Sequence, residues 1–215
     1  MDRPGLVAAG QAVEAESFRI IDREMGAHAF PPEQWEVVRR VIHTTGDFDY
    51  ADRIRFRPES LAPGVRALRA GASIFADTRM IQVGLSPWRL GWFGNPVVVP
   101  AAEPEAQAAA EQQATTRTAA AFRNRARELE GSVVAVGNAP TALLEVVRLA
   151  REENLRPALV VGVPVGFVNA EASKTLLWET ESLPCITVLG RKGGSTVAVA
   201  VLHALLELAR RHPAS

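Results

Sequence analysis

The sequence has little cysteine: Cys185 is the only one among its 215 residues. A single cysteine cannot form an internal disulfide, and the sequence contains no group of Cys and His residues at the spacing of a zinc site. The thiol lies in the apolar segment LPCITVLG, 183–190, so we expect a small core residue on a strand rather than a nucleophile. No metal site is predicted.

The chain also lacks an excess of charge of either sign, with 24 Lys and Arg against 24 Asp and Glu. Global charge therefore gives no indication of nucleic acid or an anionic membrane as a partner. No apolar run reaches about 18 residues without Gly, Pro or a charge, and residues 1–16 lack the apolar segment of a signal peptide. We expect no membrane span and a soluble, cytoplasmic protein.

Apolar segments and amphipathic segments alternate along the chain. The apolar segments are uninterrupted rather than alternating, which is typical of strands covered on both faces. They are 72–78, 95–100, 131–140, 157–167 and 184–190. Helices are predicted at 32–44, 103–129, 141–153 and 195–211. This order predicts an α/β fold: one domain over residues 1–215, a sandwich with a largely parallel central sheet flanked by helices.

In open α/β sheets the functional site lies beyond the carboxyl ends of the strands. That rule selects residues 77–78, 137–141, 166–167 and 190–195. In VGNAPTAL, 136–143, Pro140 fits the first turn of a helix whose free N–H groups and dipole favour an anion. An ordinary connection between a strand and a helix explains the same segment, and both interpretations stay open here.

The segment GRKGGSTVAVAV, 190–201, is the stronger candidate for an anion site. Two glycines let the backbone approach a ligand closely, Arg191 and Lys192 add positive charge, and Ser195 can cap the last helix. The pattern is neither a Walker loop nor GxGxxG. An arginine fork suits phosphate and carboxylate alike, so both ligands remain open.

His43 lies at the end of the helix predicted at 32–44. It could be a buried spacer, a metal ligand or a proton donor. Arg40, three residues earlier, shares its helix face, so an acid would lie next to an anion clamp. An ordinary histidine pKa of about 6.5 suits proton transfer near neutrality. His203, inside the apolar last helix, is predicted to be a satisfied core residue.

Six motifs in this order resemble the precorrin-8X methylmutase family of cobalamin biosynthesis, and the likeness covers residues 12–208. They are ESFRIID (16–22), RRVIHTTGDFDYA (39–51), TRTAAA (116–121), GNAPTAL (137–143), PVGFVNAEASK (164–174) and GRKGGS (190–195). The resemblance implies an isomerase that moves a methyl group from C-11 to C-12 of a tetrapyrrole-derived macrocycle, precorrin-8, without a cofactor. It implies proton transfer by His43, substrate contacts from Arg40 and Ser17, and a homodimer in which Arg117 reaches the neighbouring active site.

Such a macrocycle, ringed by acetate and propionate groups, is a flat polyanion with an apolar face, and it needs dispersed N–H, Arg and Lys groups. With His43 as the catalytic residue, the expected substrate contacts are Ser17, Arg40, Asp77, Thr78, Arg117, Asn138, Ala139, Pro140, Thr141, Gly166, Arg191, Gly193, Gly194 and Ser195.

The resemblance also bears on the form of the substrate. HTTGDFDYA, 43–51, looks like the anaerobic-type members, which favours cobalt-precorrin-8, converted to cobyrinic acid. The alternatives are metal-free precorrin-8X, converted to hydrogenobyrinate, a non-catalytic tetrapyrrole or polycarboxylate carrier, and a nucleotide-binding enzyme that uses GRKGGS.

Overall fold

A six-stranded sheet forms the centre of the computed structural model, which describes residues 4–57 and 59–211, apart from the side chains of 4–9 and 11. The strands lie in the order β1-β6-β5-β4-β2-β3, and β1 pairs antiparallel with β6, whereas the other neighbours are parallel. Their bounds are β1 Ile54–Phe56, β2 Ile74–Ala76, β3 Val97–Val98, β4 Val133–Val136, β5 Leu159–Gly162 and β6 Cys185–Val188. The predicted α/β sandwich with a largely parallel sheet is confirmed.

Helices cover both faces of this sheet. Within the described residues they are α1 Pro4–Met25, α2 Pro32–Thr45, α3 Asp49–Arg53, α4 Leu61–Arg69, α5 Arg79–Gly84, α6 Pro87–Leu90, α7 Ala106–Gln112, α8 Arg117–Asn124, α9 Pro140–Glu152, α10 Ala170–Glu179 and α11 Ser195–Arg211. Short 3-10 turns lie at Pro100–Ala102 and Ala126–Leu129.

The core consists of two layers, one on each face of the sheet. Successive strand residues point to opposite faces, so Val133 and Ala135 of β4 pack with α2, α4 and α11, whereas Val134 and Val136 pack with α9 and α10. Both sets are fully buried, which explains why the strand sequences are apolar throughout. Cys185 is buried on β6, as predicted, and burial raises the pKa of its thiol to about 11.

The helix predicted over 103–129 is wrong as a single element, because it is split into α7, α8 and flanking turns. The Thr116 side chain accepts a hydrogen bond from the Ala119 N–H at 3.3 Å and starts α8 as its N-cap. The elements that the sequence did not predict are β1, α1, α10 and the helices α3 to α6. β1 is a three-residue edge strand that exists only by pairing with β6, so no local pattern marks it.

The carboxyl end of α2 determines the position of His43, the predicted acid. Gly46 adopts a left-handed conformation, with φ of 64°, and its N–H donates to the Ile42 carbonyl at 2.8 Å. A residue with a Cβ is disfavoured in that conformation, so glycine terminates the helix here. His43 consequently lies on the last turn, one turn after Arg40.

Candidate active site

Two cavities open at the carboxyl edge of the parallel strands. The Arg40 cavity, of about 310 Å³, lies between α2, α5 and α11 and is lined by Arg40, Thr44, Met80, Gly84, Ser195, Thr196, Val199, Ala200 and His203. The Arg117 cavity, of about 570 Å³, is lined by Asp77, Thr78, Arg79, Val99, Ala101, Ala102, Glu103, Pro104, Gln107, Arg117, Thr118 and Asn138. Helix α5 contributes to both, with Arg79 in the Arg117 cavity and Met80 and Gly84 in the Arg40 cavity. A larger cavity, of about 620 Å³, lies at the other end of α2 and contains none of the predicted site residues.

Arg40 forms one wall of its cavity and is only 8% exposed. Its Nη1 donates to Glu14 Oε1 at 2.8 Å. Burial alone would raise the pKa of Glu14, but the charge and hydrogen bond of Arg40 outweigh it, and the pKa is lowered. Glu14 was not predicted as a site residue. It holds the guanidinium in place and offsets part of its charge.

His43 is exposed on the last turn of α2, so it is not a buried spacer. The Phe18 ring meets its imidazole edge-on, with ring centroids 5.3 Å apart, and the Arg40 guanidinium lies 5.2 Å from the same phenyl centroid. Phe18 therefore packs between the predicted acid and the predicted clamp. The neighbouring Ser17 is half-buried, and its hydroxyl donates to the Val13 carbonyl within α1 at 2.9 Å.

Asp77 and the start of α9 bind each other. The carboxylate of Asp77, 3% exposed, accepts the N–H groups of Gly137, Asn138 and Ala139 at 3.0, 2.8 and 2.5 Å. Burial raises the pKa of Asp77, although these three bonds favour its charged form. The prediction that these amides receive a substrate carboxylate must be corrected, because the anion they hold is the protein's own.

The Arg117 cavity keeps several polar groups available. Arg79 and Arg117 are exposed, and neither has a hydrogen-bond or ion-pair partner in 4–57 or 59–211. Thr78 caps α5 by accepting the Met80 N–H at 3.3 Å. The Thr141 hydroxyl, after Pro140 in the first turn of α9, lies 2.8 Å from the Thr116 hydroxyl. Arg79 was missed, although it directly follows the selected residues 77–78.

The GRKGGS loop is held at its middle by contacts of Lys192. Lys192 Nζ donates to Asp47 Oδ2 at 2.5 Å and to Asp49 Oδ2 at 3.0 Å, whereas the Lys192 carbonyl accepts from the fully buried Lys174 Nζ at 2.7 Å. We call these contacts the Lys192 bridge. The ammonium of Lys192 is thus paired and not free for a ligand, contrary to the sequence-based interpretation.

The amide of Gly194 is not free either, because it donates to the Val163 carbonyl at 2.8 Å. This corrects its predicted role as an anion donor, and Gly193 connects it to the Lys192 bridge. The loop also touches the start of α9: a Cβ on Gly137 would lie 2.8 Å from Ser195 Cα, so only glycine permits this approach.

Arg191 projects away from the Lys192 bridge. Its carbonyl accepts the Gly166 N–H at 3.2 Å, and its guanidinium lies 5.2 Å from the Phe167 ring centroid. Arg191 has no carboxylate partner among the residues the structure describes. Beside it, Phe167 and Val168 are 84% and 79% exposed, an apolar surface next to an available cation.

Ser195 and His203 line the Arg40 cavity from α11. Ser195 is 9% exposed, and its buried Oγ has no hydrogen-bond partner. His203 Nε2 accepts the Ser86 N–H at 3.0 Å, which agrees with the prediction of a satisfied histidine, yet its ring also faces the cavity. No group of three potential metal ligands occurs among the described residues, and no helix there is long and apolar enough to cross a membrane.

The sequence model of the precorrin-8X methylmutase family matches residues 12–208. This chain belongs to that family. It is therefore a methylmutase, an isomerase of cobalamin biosynthesis, as the motifs predicted. Among its relatives, the cobalt-precorrin-8 methylmutase of Leptospira interrogans is 44% identical, covering 94% of this chain and 95% of the relative. The precorrin-8X methylmutase of Pseudomonas aeruginosa is 40% identical, covering 91% and 94%.

The crystal structure of the precorrin-8X methylmutase from Thermus thermophilus has the same fold. It superposes with a TM-score of 0.88 at 50% identity and covers 94% of this chain and 97% of that one. The match supports the α/β fold described above.

Proposed function

We propose that this methylmutase moves the methyl group from C-11 to C-12 of precorrin-8, with cobalt-precorrin-8 as the favoured substrate and cobyrinic acid as the product. The observation that carries the proposal is the placement of His43. Its exposed imidazole lies one turn from the buried Arg40, at an edge with two cavities rich in cationic and hydroxyl groups. Relatives named for both forms of the substrate are about equally similar, so the preference for cobalt rests on the HTTGDFDYA motif.

The available groups suit a flat polyanion better than a phosphate. Arg79, Arg117 and Arg191 are dispersed over the edge rather than gathered in one loop, as the carboxylates around a macrocycle require. The exposed Phe167 and Val168 offer an apolar surface for its face. A nucleotide site at GRKGGS is disfavoured, because Lys192 and the Gly194 amide are already occupied.

In this mechanism the protein supplies orientation and the transfer of one proton between two positions of the macrocycle. A methyl shift within a conjugated ring is a rearrangement, so no nucleophile is needed, and binding holds the ring in a conformation that favours migration. His43 donates a proton to one atom of the macrocycle and takes one up from another as the rearranged tautomer forms, so the protons balance and the net reaction is an isomerisation. Arg40 lies beside it as an anchor for a peripheral carboxylate, with Glu14 fixing its direction.

A homodimer and a cytoplasmic location belong to the same proposal. Arg117 has no intrachain partner among the described residues and stands at the first position of α8, which leaves it able to reach the ligand of a second subunit. The small residues that follow it do not add to this argument, because Ala119 and Ala120 are 4% and 0% exposed and pack inside their own chain.

The decisive experiment is incubation of the protein with metal-free precorrin-8X and, separately, with cobalt-precorrin-8, followed by visible spectroscopy. Conversion to the corrin chromophore supports the proposal, and the faster of the two identifies the substrate form. A spectral shift on binding without conversion would indicate the carrier instead. His43→Gln, which retains polarity and size but cannot donate the same proton, is the matched control.

A further inference from the structure

We propose that His203 is a substrate-binding residue: its Nδ1–H donates to one carboxylate arm of the macrocycle inside the Arg40 cavity. This inference rests on the proposed function for the identity of the ligand. It assigns a contact to a residue that the sequence placed in the core, and it makes the Arg40 cavity a carboxylate subsite.

The hydrogen bonds of His203 fix its tautomer. Its Nε2 accepts the backbone N–H of Ser86 at 3.0 Å, and a backbone N–H can only donate. Nε2 therefore carries no proton, and in the neutral ring the proton lies on Nδ1. No residue in 4–57 or 59–211 accepts from Nδ1, and the ring lines the cavity, so this N–H is available to a ligand.

The ring also stays neutral. Burial, together with the charges of Arg89 and Arg40, lowers the pKa of His203 to about 4, and Glu14 opposes this only weakly. Arg89 is itself held by Glu207 at 3.1 Å, on the same helix as His203. Near neutral pH, His203 is thus a hydrogen-bond donor without a charge, in a fixed orientation.

The other walls of the cavity suit an anion as well. Ser195 Oγ is buried without a partner, and it lies at the amino end of α11, a helix of 17 residues. The first-turn N–H groups of Ser195 and Thr196 have no partner within the helix, and its dipole is positive there. None of the lining residues is acidic, and Arg40 supplies the positive charge. Donors without acceptors converge on one space, which is the pattern of a carboxylate site.

Two substitutions separate the two nitrogens of His203. In His203→Gln the amide oxygen can replace Nε2 and accept from Ser86, but the donor at the Nδ1 position is lost. In His203→Asn the amide nitrogen replaces Nδ1, while the Ser86 contact is lost. Ser195→Ala removes the buried hydroxyl and leaves His203 in place. Each protein is titrated with cobyrinic acid and with the same corrin whose carboxylates are converted to amides.

We expect His203→Gln to weaken the binding of cobyrinic acid about tenfold, since a hydrogen bond to a charged acceptor is lost, and Ser195→Ala to weaken it similarly. His203→Asn should bind within about twofold of the wild type, because it keeps the donor. The substitution His203→Gln should weaken the binding of the amidated corrin less than it weakens the binding of cobyrinic acid. Equal affinity of wild type and His203→Gln, or equal losses in the Gln and Asn variants, would overturn the assignment. If His203→Gln does not fold, an affinity of Ser195→Ala for cobyrinic acid equal to that of the wild type would overturn the assignment.

Turnover of the wild type on precorrin-8 separates this inference from the proposed function. If the wild type isomerises the substrate and His203→Gln binds product normally, the carboxylate subsite is refuted and the proposed function is not. A wild type that neither binds cobyrinic acid nor converts precorrin-8 refutes the proposed function, and the subsite falls with it.

Discussion

Replacing Asp77 by alanine should strongly reduce the stability of the fold and should have far less effect on the affinity of the protein for a corrin. The carboxylate accepts three backbone N–H groups at the start of α9, and two of them, on Gly137 and Ala139, belong to buried residues. In the variant those two donors lose their acceptor where water has little access. Water can replace the third bond, because Asn138 is exposed.

The magnitude follows from these contacts. A buried donor without a partner costs about 1–3 kcal/mol, so two of them cost about 4 kcal/mol. Burial disfavours the charged form of Asp77 and raises its pKa, so removal of this buried charge recovers part of that free energy. We expect a net loss of about 3 kcal/mol in the free energy of unfolding. With a urea dependence of about 2–3 kcal/mol/M, the unfolding midpoint should fall by about 1 M.

Urea unfolding followed by circular dichroism measures this loss, and Asp52→Ala is the matched control. Asp52 is exposed on α3 and its carboxylate has no hydrogen-bond partner in the described part of the chain, so its removal should change stability by less than about 0.5 kcal/mol. A loss below about 1 kcal/mol in Asp77→Ala would show that desolvation of the carboxylate cancels its three bonds. A large loss of corrin affinity at unchanged stability would restore Asp77 as a ligand contact.

Four further outcomes are expected. His43→Ala should fold and bind product but lose isomerisation by about 10²-fold or more in the spectroscopic assay, and near-normal turnover would exclude its role as the acid. Light scattering at micromolar concentration should show a dimer, and Arg117→Ala should weaken product binding; a fully active monomer would contradict the shared site. Arg191→Ala should weaken substrate and product affinity by similar factors in titrations and leave saturated single turnover intact, since rim contacts exist in both; a strong slowing of that step would assign Arg191 to chemistry. The lowered pKa of His203, about 4, means that the unfolded chain binds a proton that the folded one rejects, so stability present above about pH 6.5 is lost as pH falls towards 4. His203→Gln should remove up to about 3 kcal/mol of that acid destabilisation in unfolding curves, and identical pH profiles would disprove it.

Strands of the parallel sheet were predictable because burial on both faces leaves an uninterrupted apolar sequence. β4 is the clearest example, since all four of its residues are buried. The edge strand β1 contains Arg55 between Ile54 and Phe56 and depends on pairing with β6, far along the chain. Nothing local in IRF distinguishes a strand from a loop, so this strand was not predictable from the sequence.

The candidate site was predictable as a set of chain positions but not as a set of contacts. The carboxyl-edge rule selected Asp77 and the start of α9 correctly as neighbours. It could not show that the carboxylate of one occupies the amides of the other, because both carry the right chemistry for a ligand. The contribution of His203 was hidden for another reason: its apolar helix indicates burial, and only the packing of α11 against α2 shows which part of that helix faces a cavity.

The walls of the Arg40 cavity have a consequence for synthesis of the chain. One wall, on α2, is made early, whereas α11 follows every strand, and β1 gains its partner only when β6 has been added. At translation speeds of about 5–20 residues per second, the amino-terminal helices wait on the order of ten seconds with apolar surface uncovered. A ribosome that stalls before α11 therefore leaves a nascent chain in which α2 and α4 cover that face of the sheet only in part, the kind of species that chaperones bind. The binding cavity and the fully covered fold are completed by the same late event.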